Sequence, residues 1–423
     1  MNEGNSGKRP FRLLRFLYVR WPFMANFYSL SKLGFPFMLP DFRASAMRRL
    51  RARARREIFA HHPPVRRWLE RMTMTLSWPF GALVDTVYNL RMSGAFDRPR
   101  NFPDLMVRAG HMLTLALFEN VPPFEYVAYR LNEPGRRERA SEYLYWSEDN
   151  IFRVLNSRNG ADNDDVQDKG RFADICRQHG FPCIPTLAIY RGGRQIFPDA
   201  PFIPSQPALW VKDLAGSRGS GAGQWRRQEG DYTSPGRRVA TPEELADSWR
   251  KQSCIIQPVI NNHPDLACLS DGTLAEIRII TGVDPEGNAQ LITHQMTIPW
   301  GGFANRPFSV LGILDDDGRI SRAISGDGKP VERHPETGAP IAEIVVPFWR
   351  EARELVSRAH GQAFSHFVFL GWDVAITAEG PVLIETNSNP GVFHHQFADD
   401  IPLGHTVFAT IASRYFERAE TCD

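Results

Sequence analysis

Cysteine is scarce and scattered. Five occur in 423 residues, at positions 176, 183, 254, 268 and 422, and no CxxC pair is among them. That excludes a disulfide framework, a zinc ribbon and a thioredoxin motif, and a reducing, intracellular compartment is expected. Long apolar runs are missing too. The longest uncharged stretch, Gly287–Asn305, carries Asn, Gln, Thr, His and Gly, so a membrane-spanning helix is not expected. Lys8, Arg9, Arg12 and Arg15 are not followed by a clean apolar region with an A-x-A site, and no signal peptide is expected. Internal repeats and low-complexity tracts are absent. The apolar share of 42% and charged share of 23% rule out a disordered or collagen-like chain.

The near-neutral net charge of +2 hides a polarity. Residues 1–110 hold 20 Lys or Arg against 7 Asp or Glu, or +13, and the remainder carries −11. Such asymmetry points to an anionic partner for the first segment. Within it Phe11, Phe16, Leu17, Tyr18, Trp21, Phe23, Phe27 and Tyr28 alternate with arginines. Arginine with aromatics on short amphipathic helices suits the interface of an anionic membrane, contacted through residues 1–60. The competing reading is that the aromatics pack inward and the arginines face water. Nucleic acid is not expected, because no helix-turn-helix or zinc pattern accompanies the charge.

The coarse pattern divides the chain into a basic, mainly helical region, residues 1–135, and a mixed α+β domain, residues 136–423. A helix is expected over residues 41–60, capped by Asp41 and ended by Pro63-Pro64. Residues 65–130 read as helical with breaks near Pro79, Pro99, Pro103 and Pro122-Pro123, and the polar stretch 132–150 as a connector. Beyond it, helices are expected at 167–179, 241–252 and 345–360. Strands are expected at 186–190, 209–212, 255–260, 276–281, 289–297, 368–377 and 381–386.

Two segments carry chemistry. In the first, a strand ends at Lys212 and runs into a loop with Gly216, Ser217, Gly219, Ser220, Gly221 and Gly223. Glycines let backbone N–H groups approach phosphate oxygens, and the lysine adds a fixed positive charge. No Gly-Lys-Ser/Thr closes the loop, so it is not a Walker A motif. A Rossmann turn matches poorly, since residues 224–236 read as polar and irregular rather than as a helix. In the second, Glu385 and Asn387 lie two apart on a strand and share a face, with Asp373 on the strand before. Two carboxylates and an amide oxygen facing one way make an all-oxygen site suited to Mg²⁺, with Mn²⁺ the alternative. The flanking residues are apolar, and a buried carboxylate calls for a counter-ion.

In motif order, Lys212 with its glycine loop, the strand Ile256-Gln-Pro-Val259, Arg278, and Asp373 with Glu385-x-Asn387 together resemble the ATP-grasp superfamily. The segments Asn262–Ala267, Glu276–Thr281, His334–Gly338 and Gly371–Thr377 resemble its sugar-transfer-associated branch, over about residues 140–415. The resemblance implies an ATP-grasp fold, two α+β subdomains clasping ATP, preceded by a helical extension. It implies that Lys169 and Lys212 bind the nucleotide, with the glycine loop closing over the phosphates. Gln257 and Val259 would lie against adenine. Asp265 would stand at the ribose position, where many members carry Glu. Arg278 would neutralise the γ-phosphate or an acyl phosphate, and Asp373, Glu385 and Asn387 would hold Mg²⁺.

The implied chemistry is ATP-dependent ligation. A carboxylate becomes an acyl phosphate that an amine, or another nucleophile, displaces, in polysaccharide or sugar-related biosynthesis at the cytoplasmic face of a membrane, on an acceptor that could be glycan-linked. Two alternatives stand beside it: a kinase that passes phosphoryl to a hydroxyl, and a non-catalytic ATP-binding protein. His394-His395 and the segment Trp300–Asn305 are further candidates for the acceptor side. Cys254 and Cys268 read as buried packing residues.

Overall fold

The computed structural model describes residues 45–60, 63–92, 101–119, 121–145, 148–215, 222–237, 239–270, 272–301, 310–326 and 328–420. The aromatic segment Phe11–Tyr28, the cap Asp41, the loop Gly216–Gly221, and Gly302 and Asn305 lie outside them. The chain forms two compact units. One comprises residues up to Leu155 together with those from Gly391 onward, and the other is Asn156–Pro390.

The first unit is helical: Ala46–Ala60, Pro64–Met92, Phe102–Glu119, Pro123–Ala128 and Pro134–Glu138, with Phe393–Asp399 and Phe408–Glu420 from the C-terminus. The break expected at Pro79 does not occur, and the proline sits inside a helix of 29 residues. Trp78 and Ala82, on either side of it, both pack on Ala116, and Trp78 Nε1 donates to the Ala116 carbonyl at 2.8 Å. That anchoring offsets the hydrogen bond the proline removes. The expected connector 132–150 is also corrected. Tyr143, Leu144 and Tyr145 are buried, and Tyr129 stacks edge-to-face on Tyr143, Tyr145 and Phe393 at 5.0–5.3 Å. Aromatic area outweighs the polar composition around it.

Part of the basic excess is spent inside this unit. Arg51 is buried, donating from Nε to Glu148 Oε1 at 2.7 Å and from Nη1 to the Ser141 carbonyl at 2.6 Å. Arg48 pairs with Glu119, and Arg53 with Glu417. Helix Ala46–Ala60 therefore belongs to the core of the unit through Met47, Leu50 and Ala54.

The second unit holds two antiparallel six-stranded sheets. The first is β1 (Ala188–Arg191), β2 (Arg194–Phe197), β3 (Ala208–Asp213), β4 (Gly223–Gln228), β5 (Asp231–Thr233) and β6 (Cys254–Pro258), in the order β2-β1-β6-β3-β4-β5. The segment after the glycine loop, expected to be irregular, is the hairpin β4–β5. Trp225 and Tyr232 bury their rings while Arg226, Arg227 and Gln228 face water. Helix Pro242–Trp249 covers this sheet through Leu245, Ala246 and Trp249. Its start carries a full capping box, with Thr241 and Glu244 satisfying each other's backbone N–H groups.

The second sheet is β7 (Glu276–Val283), β8 (Ala289–Ile298), β9 (Val310–Leu314), β10 (Ile320–Ser325), β11 (Phe369–Thr377) and β12 (Gly380–Asn387), in the order β10-β9-β8-β7-β11-β12. Strands β9 and β10 carry no expected signal of their own. Gly318 in the turn between them has φ of +81°, and Trp349 atoms lie 2.5 Å from where a Cβ would stand. Helix Trp349–Ala363 packs Trp349, Ala352, Val356 and Ala359 on one face of the sheet, against Ile277, Ile279, Met296, Trp372 and Val374. Alternation then puts every second residue of these strands on the opposite, polar face.

Candidate active site

That polar face is organised by register. Arg278 on β7 pairs directly with Asp373 on β11, Asp373 pairs with Glu385 on β12, and Gly371 pairs with Asn387 one step along. Opposed residues of an antiparallel pair share a face, so the four side chains form one polar row. Arg278 grips both carboxylate oxygens of Asp373: Nη2 reaches Oδ2 at 2.9 Å and Nε pairs with Oδ1. Asp373 is 3% exposed. Burial pushes its carboxyl up, to about 7, with Arg278 pulling downward and Glu276 and Glu385 pushing further up. Glu385 and Asn387 are half-buried.

Gly371 has a steric task. A Cβ there would lie 2.8 Å from the Pro390 Cβ and 2.9 Å from its Cα, so only glycine admits the chain where it crosses the sheet. Pro390 thereby offers its carbonyl to Arg278 Nη1 at 3.5 Å. Beneath Asp373, on the apolar side, Trp372 Nε1 donates to Thr281 Oγ1 at 2.7 Å. Thr281 Oγ1 and His360 Nδ1 lie 2.6 Å apart, and His360 Nε2 faces the Phe367 carbonyl at 3.0 Å. A carbonyl only accepts, so Nε2 carries the imidazole proton and Nδ1 accepts from the threonine. Burial holds His360 down to about 3, hence neutral.

Lys212 lies on the other sheet, and Lys169 opens the helix Lys169–Gln178. Lys212 is half-buried on β3, and the Lys169 amide donates to the Leu214 carbonyl at 3.1 Å, which joins the helix start to the end of that strand. Asp168 caps helix Lys169–Gln178, its Oδ1 accepting from the amides of Gly170 and Arg171 at 2.9 and 3.1 Å. Arg191 fixes the same carboxylate at 2.6 Å. Gln257 is buried on β6, opposite Trp210, and the Val259 amide reaches the Ala208 carbonyl at 3.4 Å.

Asp265 follows β6 in the chain. It is exposed on a 3₁₀ turn, Pro264–Leu269, its amide donating to His263 Nδ1 at 3.1 Å. Asn262 ties this turn to β7 by donating to the Thr273 carbonyl and accepting from the Ala275 amide, both at 2.9 Å.

Two residues of the polar face escape a reading by motif. Glu276 lies two positions before Arg278, a spacing that could have found it. Gln295 on β8 pairs with Arg278, which only the sheet reveals. Cys268, expected to be buried, is exposed, whereas Cys254 is buried. His394 and His395 lie in helix Phe393–Asp399, with His395 buried. No group of three or more His, Cys, Asp or Glu fit to hold a metal occurs among the described residues, and the row here is two carboxylates and an amide.

A sheet carrying a lysine ahead of a glycine loop, followed by a second sheet bearing an arginine, two carboxylates and an asparagine in register, defines an ATP-grasp protein. The chain belongs to the sugar-transfer associated ATP-grasp family, whose model matches residues 148–410. Comparison with curated proteins finds no match.

Among solved structures, D-alanine–D-alanine ligase from Bacillus anthracis, complexed with ATP, is 13% identical with a TM-score of 0.34, over 61% of this chain and 68% of that one. L-amino acid ligase from Bacillus licheniformis is 14% identical with a TM-score of 0.34, over 75% and 66%. N5-carboxyaminoimidazole synthetase from Staphylococcus aureus is 9% identical with a TM-score of 0.34, over 59% and 52%. At such values neither substrate nor activity transfers from them.

Proposed function

We propose that this protein is an ATP- and Mg²⁺-dependent ligase that activates a carboxylate as an acyl phosphate for attack by an amine. The observation that carries the reading is the in-register row Arg278–Asp373–Glu385 with Asn387 beside it. Asp373, Glu385 and Asn387 would hold the metal. Their oxygens are hard ligands, and a carboxylate raised by burial, with Glu276 and Glu385 adding to the rise, is a group that a cation relieves. When bound, the metal supplies charge neutralisation on the transferring phosphoryl group.

The chain's own residues do the rest. Arg278, held by Asp373, faces the phosphoryl oxygens with a fixed cation and does not have to reorganise. Lys169 and Lys212 hold the nucleotide phosphates, a role shared by the glycine-rich residues 216–221. Gln257 and the Val259 backbone border adenine, and Asp265 is assigned to the ribose. The kinase and the non-catalytic alternatives predict different products from one experiment. Purified protein with Mg-ATP and panels of carboxylates and amines should release ADP and phosphate and form an amide. A phosphorylated product supports a kinase, and nucleotide binding without turnover supports a binding protein.

The family's link to sugar transfer supports a substrate from polysaccharide or sugar-related biosynthesis, with an acceptor that is glycan-linked. A peripheral site of action at the cytoplasmic face of an anionic membrane, reached through residues 1–60, is supported by the +13 charge of residues 1–110.

A further inference from the structure

The polar face carries two side chains, Gln295 and Glu276, to which the ligase reading gives no task. Gln295 pairs with Arg278 and so extends the row by one strand. It is 5% exposed, and its Oε1 has no hydrogen-bond partner among the described residues. An amide oxygen can only accept, so the group that completes this position must be a donor. Carboxylates and phosphates are thereby excluded, and an amine fits. Glu276, on the same face two residues before Arg278, adds negative charge that reaches both Arg278 and Asp373. A site next to the phosphoryl-facing arginine that wants a donor and carries negative charge is a site for an amino group.

We propose that Gln295 Oε1, with Glu276 beside it, receives the amino group of the acceptor substrate. The assignment rests on the ligase reading and gives its amine a binding position. In the step it serves, the amine nitrogen attacks the acyl carbon and forms the C–N bond. The C–O bond to phosphate breaks with its electron pair on the departing oxygen, and the proton shed by nitrogen leaves on the phosphate. Gln295 orients the nitrogen and takes no proton.

Hydroxylamine serves as the probe nucleophile, with the full chain, Mg-ATP and a panel of carboxylic acids, and hydroxamate is the product read. Gln295→Leu should raise the hydroxylamine KM at least about tenfold and leave the ATP KM within about twofold, while Gln295→Glu, which keeps an acceptor, stays near the parent. If Gln295→Leu does not fold, Gln295→Met carries the same comparison. An unchanged hydroxylamine KM, or a rise confined to ATP, overturns the assignment and leaves the ligase reading standing. If the parent protein forms no hydroxamate with any acid, the ligase reading falls and takes the assignment with it.

A second observation, in the other unit, is independent of that chemistry. Helix Pro64–Met92 buries Trp78, Ala82, Asp85, Thr86 and Asn89 on one face and exposes Leu69, Leu76, Phe80 and Leu83 on another. The exposed apolar side chains, from Val65 to Val87, recur every three or four residues and so form one stripe along a helix of about 43 Å. By helical spacing Arg66 and Arg91 border it, within the segment of +13 charge. The stripe does not cross a membrane, because no described helix is long and apolar enough. An apolar face edged by arginine fits the headgroup boundary of an anionic bilayer, with the helix lying in the plane.

We infer that this face docks on anionic lipid. The full chain should sediment with vesicles of phosphatidylcholine and phosphatidylglycerol, and Leu76→Glu/Phe80→Glu should reduce the bound fraction at least about tenfold without lowering the thermal midpoint. Undiminished sedimentation of the double variant overturns the inference. So does a parent dimer that the double variant converts to a monomer with no vesicle binding, which would seat a second copy on the stripe. Vesicle binding abolished by deletion of residues 1–44 and untouched by the double variant also overturns it.

Discussion

Arg278 and Asp373 are the pair on which the site turns, and their coupling can be measured. Asp373 is nearly sealed from solvent while Arg278 is partly open. Arg278→Met would leave a buried carboxylate without its cation, and urea unfolding should show a loss of about 3 kcal/mol. Asp373→Asn removes the charge that needs pairing, so its loss of stability should be smaller while ADP release disappears. A loss of stability in Asp373→Asn equal to that in Arg278→Met would contradict this account. His360 makes a second prediction at this scale. It stays neutral in the folded protein down to about 3, whereas an unfolded chain takes up the proton near 6.5. Between those values the unfolded state binds more protons, so stability falls as pH drops, by roughly 1.4 kcal/mol per pH unit. His294, lowered by burial to about 4, acts in the same direction. Urea midpoints measured from pH 7 to pH 4 should show a shallower acid slope for His360→Gln than for the parent protein.

At the scale of elements, the crossing of Pro390 over β11 is the sharpest constraint. Gly371→Ala forces the backbone at Pro390 to move, and that segment follows directly on the Glu385–Asn387 strand. Turnover should fall about a hundredfold, because a displacement of about 1 Å at a positioned group has that effect. Nucleotide binding through the other sheet should persist, and fluorescent nucleotide titration separates the two. The elements differ in how strongly their local sequence marks them. Helix Lys169–Gln178, helix Pro242–Trp249 and strands β7, β8, β11 and β12 carry their own signals in caps, period and β-branched residues. Strands β4 and β5 do not, because only Trp225 and Tyr232 of that hairpin point inward and the charged remainder resembles a loop.

At the scale of the whole molecule, ligand and membrane tests should be built on where the units lie. Mg-ATP at a hundred times its Kd should stabilise the protein by about 2.7 kcal/mol, and a thermal shift confined to the parent and lost in Glu385→Gln would tie that gain to the metal row. A test of the N-terminal basic segment should delete residues 1–44 and go no further. Helix Ala46–Ala60 supplies Arg51 to the buried Glu148 pair, and its removal would unfold the first unit rather than report on lipid. Vesicle binding by the parent chain should weaken as salt rises, over a Debye length of about 8–10 Å at ordinary ionic strength.

The linear chain by itself determined the identities that chemistry requires: a lysine before a glycine loop, an arginine on a strand, and Asp373, Glu385 and Asn387 at strand spacing. Those signals are local, since side-chain direction on a strand follows from parity and loop freedom from glycine. It also made the family visible through the order of its motifs. Tertiary structure decided what depends on pairing between distant segments. Only register set Asp373 between Arg278 and Glu385 and brought Gln295 beside them, and only packing turned Tyr143 and Tyr145 inward and kept a helix whole through Pro79. The physical reason is that cross-strand register and buried area are sums over residues far apart in the chain, and no window along the sequence contains them.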